Sequence, residues 1–193
     1  MAKRAGGYGQ WFADEGSGFR IGHKALRAIL MASDGRIKPV SFDKPVLKQL
    51  GLKHPNELIL WATQKNKDGT IKTDIAAVTP HIIKAAEKRD PVARKILEEE
   101  VQELALAVKT VVRGLKTKGL PKVILVGGVV ENNPSYFRIM KNAIQREIKG
   151  IQVTQPKACP AVGAVIGAAR RAGIPISPEF IKNLTSSWDK LNK

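Results

Sequence analysis

The stretch GGYGQWFADEGSG at residues 6–18 decides how this chain folds, and a helical pattern from Phe19 to Ser33 follows it directly. Its glycines allow the main chain to pass close to a bound molecule, and Asp14 and Glu15 can accept hydrogen bonds from hydroxyl groups. Acidic residues also favour the positive end of the following helix, so a purely stabilising role stays open for both. Ser17 has no base nearby and is interpreted as the helix N-cap, not as a nucleophile.

Downstream of this stretch the pattern is helical as far as residue 115. Residues 36–88 read as short helices interrupted by prolines, with an exposed, lysine-rich loop expected over 64–73. Asp90-Pro91 then combines an N-cap with a proline in the first helical position. Apolar residues recur at spacings of three and four from there, which predicts one long helix. Its charged side, including Glu98-Glu99-Glu100, is predicted to face solvent.

The pattern changes at residues 122–126, where a continuous β-branched apolar run is typical of a strand buried on both faces. Gly127-Gly128 ends this strand, and another helix is expected near Pro134. Ligands of open α/β sheets bind beyond the carboxyl ends of strands, and a Gly-Gly pair there removes two side chains where a nucleotide can approach the backbone. A simple tight turn is the alternative role of the pair.

The last part of the chain continues the alternation of strand and helix. Residues 151–154 predict a second strand, and residues 161–172 predict a helix of small residues in which Gly163 and Gly167 favour close packing. Residues 177–193 predict a C-terminal docking helix. The order of elements indicates an α/β fold, in which a small sheet is covered by helices, within a single domain over residues 1–193.

The formal net charge of +16, from 33 basic and 17 acidic residues, allows two interpretations. The first is a polyanionic partner, and the second is a lysine-rich solvated surface. Basic residues are spread through almost every segment, and most of the few aromatic rings sit at apolar helical positions, so base stacking lacks its usual residues. Nucleic acid is therefore not the expected partner, although the field would attract a phosphate-bearing small ligand.

Cysteine usage and hydropathy indicate the compartment. A lone Cys159 can form no internal disulfide, and neither it nor the scattered His23, His54 and His81 has the spacing of a metal site. The sequence contains no apolar run long enough for a membrane span and no signal-peptide pattern. We expect a soluble, cytoplasmic protein with no membrane partner.

Six spaced motifs together resemble one family pattern over about residues 5–175. They occur in the order of the N-acetylglucosamine kinases and the related BadF/BadG/BcrA/BcrD-type ATPases. These belong to the actin, hexokinase and Hsp70 superfamily, whose two ribonuclease-H-like domains close over ATP and a substrate. The motifs are Gly6-Gly7-Tyr8-Gly9, Asp14-Glu15-Gly16-Ser17-Gly18, Ile21-Gly22 with Ala25-Leu26, Arg89-Asp90-Pro91-Val92-Ala93, Leu125-Val126-Gly127-Gly128-Val129 and Pro160-Ala161-Val162-Gly163-Ala164.

The resemblance implies a fold, a substrate class and cofactors. It implies that the chain is a ribonuclease-H-like (actin-like ATPase) C-terminal domain, incomplete by itself, of a kinase that transfers phosphate from ATP, with Mg, to a sugar or amino sugar. The substrate-binding residues that it implies are Gly7, Tyr8, Gly9 and Asp14. The nucleotide-binding residues that it implies, on the adenosine side, are Gly127, Gly128 and Val129.

The sequence also departs from the family pattern. Tyr8 stands where Trp is usual, Ala13 where Gly is usual, and Arg89 where Gly-Asp is usual. Neither the Asp-Gly-Gly-x-Thr phosphate loop nor the first-domain catalytic Asp occurs in these 193 residues. Phosphoryl transfer needs the metal-binding acid, the phosphate cradle and the base in one closed cleft. We therefore expect no catalytic residue here and no turnover by this chain alone.

The gaps in the resemblance lead to one expectation about the sheet, and two other interpretations of the chain stay open. An exposed sheet edge is expected to pair with the missing N-terminal domain or with a second copy. An ATPase that drives a redox partner through a shared iron-sulfur cluster is a second interpretation within the family, which the lone Cys159 does not favour. The alternative from another class is a non-catalytic binding module, either a basic nucleic-acid binder or a protein-interaction scaffold.

Overall fold

The computed structural model describes residues 2–115, 117–156 and 158–191. Within these ranges the chain forms ten α-helices, a short 3₁₀ helix at Pro55–Glu57 and a two-stranded sheet. The strands are β1 (Val123–Ile124) and β2 (Val153–Thr154). The α-helices are α1 (Gly18–Ser33), α2 (Asp43–Gln49), α3 (Leu58–Lys67), α4 (Ile71–Ala77), α5 (Thr79–Glu87), α6 (Pro91–Gly114), α7 (Gly128–Asn132), α8 (Pro134–Glu147), α9 (Pro160–Arg171) and α10 (Pro178–Leu191).

Helix α1 lies at the centre of the helical part and packs on α4, α5 and α6. It begins as predicted, because the Ser17 hydroxyl accepts a hydrogen bond from the Arg20 N–H at 3.2 Å. Gly22 lies where α1 meets α4, and a Cβ at this position would stand 2.0 Å from the carbonyl oxygen of Ile75. Only glycine permits so close an approach of two helices. This contact fixes the start of α1 relative to α4.

Helix α6 begins at the predicted cap. The Asp90 carboxylate accepts hydrogen bonds from the N–H groups of Val92 and Ala93, both at 2.9 Å. It also accepts from the backbone N–H and the hydroxyl of Ser41, both at 2.8 Å. Burial of this carboxyl opposes its ionisation, but the four hydrogen bonds outweigh burial and lower the pKa of Asp90. The cap thus ties α6 to the segment that precedes α2.

The sheet is parallel, with Val123 opposite Val153 and Ile124 opposite Thr154. The prediction of a strand buried on both faces is wrong, because Ile124 and Val126 are each 54 % exposed while Leu125 between them is buried. The core of the described residues lies on one face of the sheet only, where Met140 of α8 is also fully buried. The apolar run therefore leaves its other face open.

Residues 64–73, predicted as an exposed loop, are instead mostly helical. Helices α3 and α4 occupy this range except at 68–70. An ion pair between Lys65 and Asp74, 3.1 Å apart, links the two helices across the turn. The polar, lysine-rich composition that suggested a loop marks the exposed surface of two helices.

Close packing at the glycines of α9 is not observed. Among the described residues, no atom lies within 4 Å of a Cβ built on Gly163 or Gly167. Helix α9 is buried through Val162 and Ala169 instead, on another side of the helix. Helix α10 packs on α9, and the last two residues of the predicted docking helix lie outside the described residues. Its docking role stays a prediction.

Candidate ligand site at the acidic loop

Residues 14–18, which we call the acidic loop, are held by buried side chains from three helices. Glu100 of α6 accepts a hydrogen bond from the Gly16 N–H at 3.0 Å. Tyr136 of α8 donates to the Gly16 carbonyl at 3.1 Å. Thr79 of α5 donates to the carbonyl of the last loop residue at 2.8 Å. Since all three side chains belong to almost fully buried residues, the loop is a fixed part of the fold.

Glu100 corrects the prediction that residues 98–100 form a solvated helix face, because it is 0 % exposed. Its buried charge faces two cations of α1. Lys24 Nζ lies 2.9 Å from Glu100 Oε1, and Arg20 Nε lies 3.6 Å from the same oxygen. Lys24 also contacts Glu99, at 2.8 Å. Two cations and two carboxylates therefore balance beneath the acidic loop.

This charge cluster shifts the pKa of two of its neighbours. Burial of the Lys24 ammonium opposes its protonation, but hydrogen bonds to Glu99 and Glu100 outweigh burial and raise the pKa of Lys24. Burial of the Tyr136 phenol, and after it the negative charge of Glu100, raise the pKa of Tyr136 well above its ordinary value. Both groups therefore stay protonated at neutral pH, so the hydroxyl of Tyr136 remains a donor to the loop.

Residues 6–13, which we call the glycine loop, carry three of the predicted sugar-binding residues. The chain reverses at Gly9, whose carbonyl accepts hydrogen bonds from the Phe12 and Ala13 N–H groups at 3.1 and 3.0 Å. Arg4 donates to the Gly7 carbonyl, and its guanidinium lies 4.9 Å from the centre of the Tyr8 ring. Gly7, Tyr8 and Gly9 are all exposed, so their backbone and the ring are accessible.

Asp14, the fourth predicted sugar-binding residue, lies at the start of the acidic loop. Its side chain is 28 % exposed, and Oδ2 lies 3.8 Å from Nζ of Lys72 on α4. An ion pair at this distance leaves the carboxylate oxygens able to accept hydrogen bonds from a ligand. The Asp14 carbonyl accepts from the Ser17 N–H at 3.1 Å, so the residue is part of the turn that leads into α1.

The predicted nucleotide segment, residues 127–129, lies directly behind β1. Gly127 and Gly128 are exposed, and Glu131 accepts a hydrogen bond from the Gly127 N–H at 2.9 Å. The pair does not form a free turn, because α7 begins at Gly128. Val129 Cγ2 would lie 3.3 Å from a Cβ built on Gly18. The structure therefore brings this segment against the end of the acidic loop.

A cavity of about 440 Å³ lies beside the glycine loop, between α1, α3 and α4. Trp11 forms one side of it, and none of the four predicted sugar-binding residues, all of them described, lines it. Burial, and then the charges of Arg20 and Arg27, lower the pKa of His23 in its wall. The cavity beside the glycine loop is mainly apolar. Its apolar lining also includes Phe19, Leu26, Leu30, Leu58, Ile59, Trp61, Ala62, Ile71 and Ile75.

The backbone of the predicted nucleotide segment is open to solvent. The open backbone at Gly127 and Gly128 allows close approach of a flat ligand. Within the part of the chain that the structure describes, no group of three or more His, Cys, Asp or Glu side chains is placed to hold a metal ion.

Comparison with known proteins gives consistent matches. The model of the BadF/BadG/BcrA/BcrD ATPase family matches residues 1–168. An N-acetylmuramic acid/N-acetylglucosamine kinase of Clostridium acetobutylicum is 35% identical over 163 residues, which is 82% of this chain and 52% of that protein. An N-acetyl-D-glucosamine kinase of Dictyostelium discoideum is 25% identical over 168 residues, 86% of this chain and 52% of that protein.

A solved structure is similar as well. It is the crystal structure of a Chromobacterium violaceum protein described as "Putative N-acetylglucosamine Kinase", with a TM-score of 0.60 and 25% sequence identity. The match covers 84% of this chain and 50% of that one. The chain thus spans about half the length of the kinases that it matches.

Proposed function

This chain belongs to the BadF/BadG/BcrA/BcrD ATPase family, and from that premise we propose that it forms the amino-sugar and adenosine side of an ATP-dependent sugar kinase site. One observation carries the proposal: Val129 of the predicted nucleotide segment packs against Gly18 at the end of the acidic loop. Phosphoryl transfer requires its two substrates in adjacent positions. Segments more than a hundred residues apart in sequence meet here in the way that this reaction needs.

On the sugar side, Asp14 accepts hydrogen bonds from sugar hydroxyls. Its carboxylate is partly exposed at the edge of a loop that the core holds in place. The exposed backbone of Gly7 and Gly9, in the adjoining glycine loop, belongs to the same proposed sugar site. Tyr8 and Trp11, 63 % and 74 % exposed, offer flat apolar surfaces to the face of a sugar ring.

On the nucleotide side, the exposed backbone of Gly127 and Gly128 would contact the adenosine, and Val129 packs against Gly18 of the acidic loop. ATP would supply the phosphoryl group that is transferred. Because the Asp-Gly-Gly-x-Thr phosphate loop does not occur in these 193 residues, the groups that hold Mg and the phosphates would come from the other lobe. The chain then turns over no ATP by itself.

We also propose that the chain is one ribonuclease-H-like lobe that is incomplete by itself; its small sheet with helices packed on it is consistent with that fold. The other lobe, or a second copy of the chain, would pair with an open edge of the two-stranded sheet, and the side chains of Ile124 and Val126, exposed on its open face, would add apolar contact. None of the described helices has both the length and the apolar character to cross a membrane. A cytoplasmic location fits a kinase that draws on ATP, and it is part of the proposal.

Calorimetry and a coupled assay test the proposal together. The chain is expected to bind N-acetylglucosamine and to show no Mg-dependent ATP turnover. Asp14→Asn is expected to lose sugar binding, whereas the matched variant Asp68→Asn, which removes the same charge between α3 and α4, is expected to retain it. Robust Mg-dependent ATP turnover by the chain contradicts the proposal that it forms only one side of the kinase site. Equal sugar affinity of both variants contradicts the role of Asp14, and sequence-selective DNA binding without sugar binding supports the alternative binding module.

A further inference from the structure

We propose that Glu100 is a positioning residue of the sugar site, whose buried carboxylate holds the acidic loop in the conformation that presents Asp14. The inference rests on the proposed function of Asp14. Glu100 itself touches no solvent and is too deeply buried to contact a sugar, since it is 0 % exposed. Its effect on ligand binding must pass through the loop.

The two carboxylate oxygens of Glu100 face opposite directions. Oε2 accepts from the Gly16 N–H of the loop at 3.0 Å. Oε1 faces α1, where Lys24 Nζ lies at 2.9 Å and Arg20 Nε at 3.6 Å. The carboxylate can pair its negative charge with these two cations while Oε2 accepts from Gly16, whereas the amide of glutamine is neutral and, accepting from Gly16 through its one oxygen, would turn N–H donors toward the cations. The carboxylate therefore joins the acidic loop to α1 in a way that no neutral side chain of the same size reproduces.

The loop is also seated on α6 by packing. Gly16 has a φ of +73°, and a Cβ there would lie 2.9 Å from Cδ2 of Leu104, one helical turn beyond Glu100. The Ser17 N–H donates to the Asp14 carbonyl at 3.1 Å, which makes one turn of the residues from Asp14 to Ser17. Fixing Gly16 on α6 therefore fixes the direction in which Asp14 leaves the loop.

The free-energy cost of burying the Glu100 carboxylate argues that its role is to position the acidic loop and not to add stability. A buried ion pair adds little net stability, and an apolar residue of similar volume often serves a core better. Glu100 lies on the buried side of α6 with Ile96 and Leu97, where an apolar side chain would continue the core. What the carboxylate adds at this position is the hydrogen bond to Gly16.

Hydrogen exchange and sugar binding, both measured on the 193-residue chain, test the inference. In Glu100→Gln the Gly16 amide is expected to exchange about ten to a hundred times faster, because a hydrogen bond to a charged acceptor is weakened. The affinity for N-acetylglucosamine is expected to fall by a similar factor, with ATP affinity unchanged. Glu99→Gln is the matched control. It removes the neighbouring charge and a contact to the same Lys24, and both quantities should change less than about fivefold.

Each outcome of the exchange and binding measurements either supports or contradicts the inference. Unchanged Gly16 exchange in Glu100→Gln overturns the inference, whether or not the sugar binds. Faster exchange with unchanged sugar affinity also overturns it, because Glu100 would then serve the fold alone. If the native chain binds no sugar, the proposed function fails and this role of Glu100 fails with it, while the exchange data still report whether Glu100 holds the loop. If Glu100→Gln does not fold, Glu100→Asp tests the same bond, because it keeps the charge but withdraws the carboxylate from the Gly16 N–H; faster Gly16 exchange with native sugar affinity in that variant contradicts the inference.

Discussion

Replacing Gly22 with alanine tests the packing that positions the acidic loop. The added Cβ would lie 2.0 Å from the Ile75 carbonyl oxygen, so α1 and α4 would have to separate by about 1.5 Å to restore an ordinary contact. Over-packing that moves backbone costs about 3 kcal/mol or more. Alanine returns about 1 kcal/mol of helix propensity over glycine. We therefore expect Gly22→Ala to lower the free energy of unfolding by about 2–3 kcal/mol.

The assay for this variant is urea denaturation followed by circular dichroism. The midpoint is expected to fall with the m-value unchanged. Gly167→Ala in α9 is the matched control, because it makes the same change within a helix where no described atom lies within 4 Å of the new Cβ. That variant should gain up to about 1 kcal/mol. A Gly22→Ala protein as stable as the native chain would refute the close approach of α1 and α4.

Three further predictions concern buried hydrogen bonds and their ionisation. Asp90→Ala removes the cap of α6 and leaves two Ser41 donors without their acceptor, so urea denaturation should show a loss of about 2–4 kcal/mol, and a loss below 0.5 kcal/mol would contradict it. Because folding lowers the pKa of Asp90, its stabilisation is present above the ordinary aspartate pKa and is lost as pH falls below about 4; Asp90→Asn should flatten the stability-pH curve there, and an unchanged slope would contradict the assignment. Tyr136→Phe removes the donor to the Gly16 carbonyl and should cost about 1 kcal/mol in thermal unfolding, whereas a stabilised variant would show that this bond is not formed.

Local sequence signals predicted much of the helical framework. Ser17 and Asp90 cap α1 and α6 in the structure as their residue types and positions indicated. The strand patterns at residues 122–126 and 151–154 also predicted the positions of β1 and β2. These features depend on a few neighbouring residues, so a single sequence contains the information needed to predict them.

The burial of Glu100 could have been predicted from the periodicity of α6, although the composition of residues 98–100 suggested exposure. Three consecutive glutamates suggest a solvated face, but residue 100 follows Ile96 by four and Leu97 by three, and so lies on the buried stripe of α6. Glu100 is buried despite its charge because cations of α1 lie opposite and compensate that charge. The partner cations are distant in sequence, which is why residue type alone misled.

The exposure of β1 could not be predicted from the chain's own pattern. A β-branched run indicates apolar surroundings on both faces, yet Ile124 and Val126 are half exposed among the described residues. What covers a strand is decided by elements far away in sequence or in another chain. The same limit applies to Gly163 and Gly167, where no described atom lies within 4 Å of a built Cβ.

The most direct test of the central claim is a pair of NMR titrations on one isotope-labelled chain, with N-acetylglucosamine and with ATP. The account predicts that the sugar shifts the amide signals of Gly7, Gly9 and the acidic loop. It predicts that ATP shifts those of Gly127, Gly128 and Val129, and that both ligands perturb Gly18, where the two segments meet. Sugar-induced shifts that fall elsewhere, or ATP-induced shifts that spare residues 127–129, would contradict the claim that these segments form one kinase site.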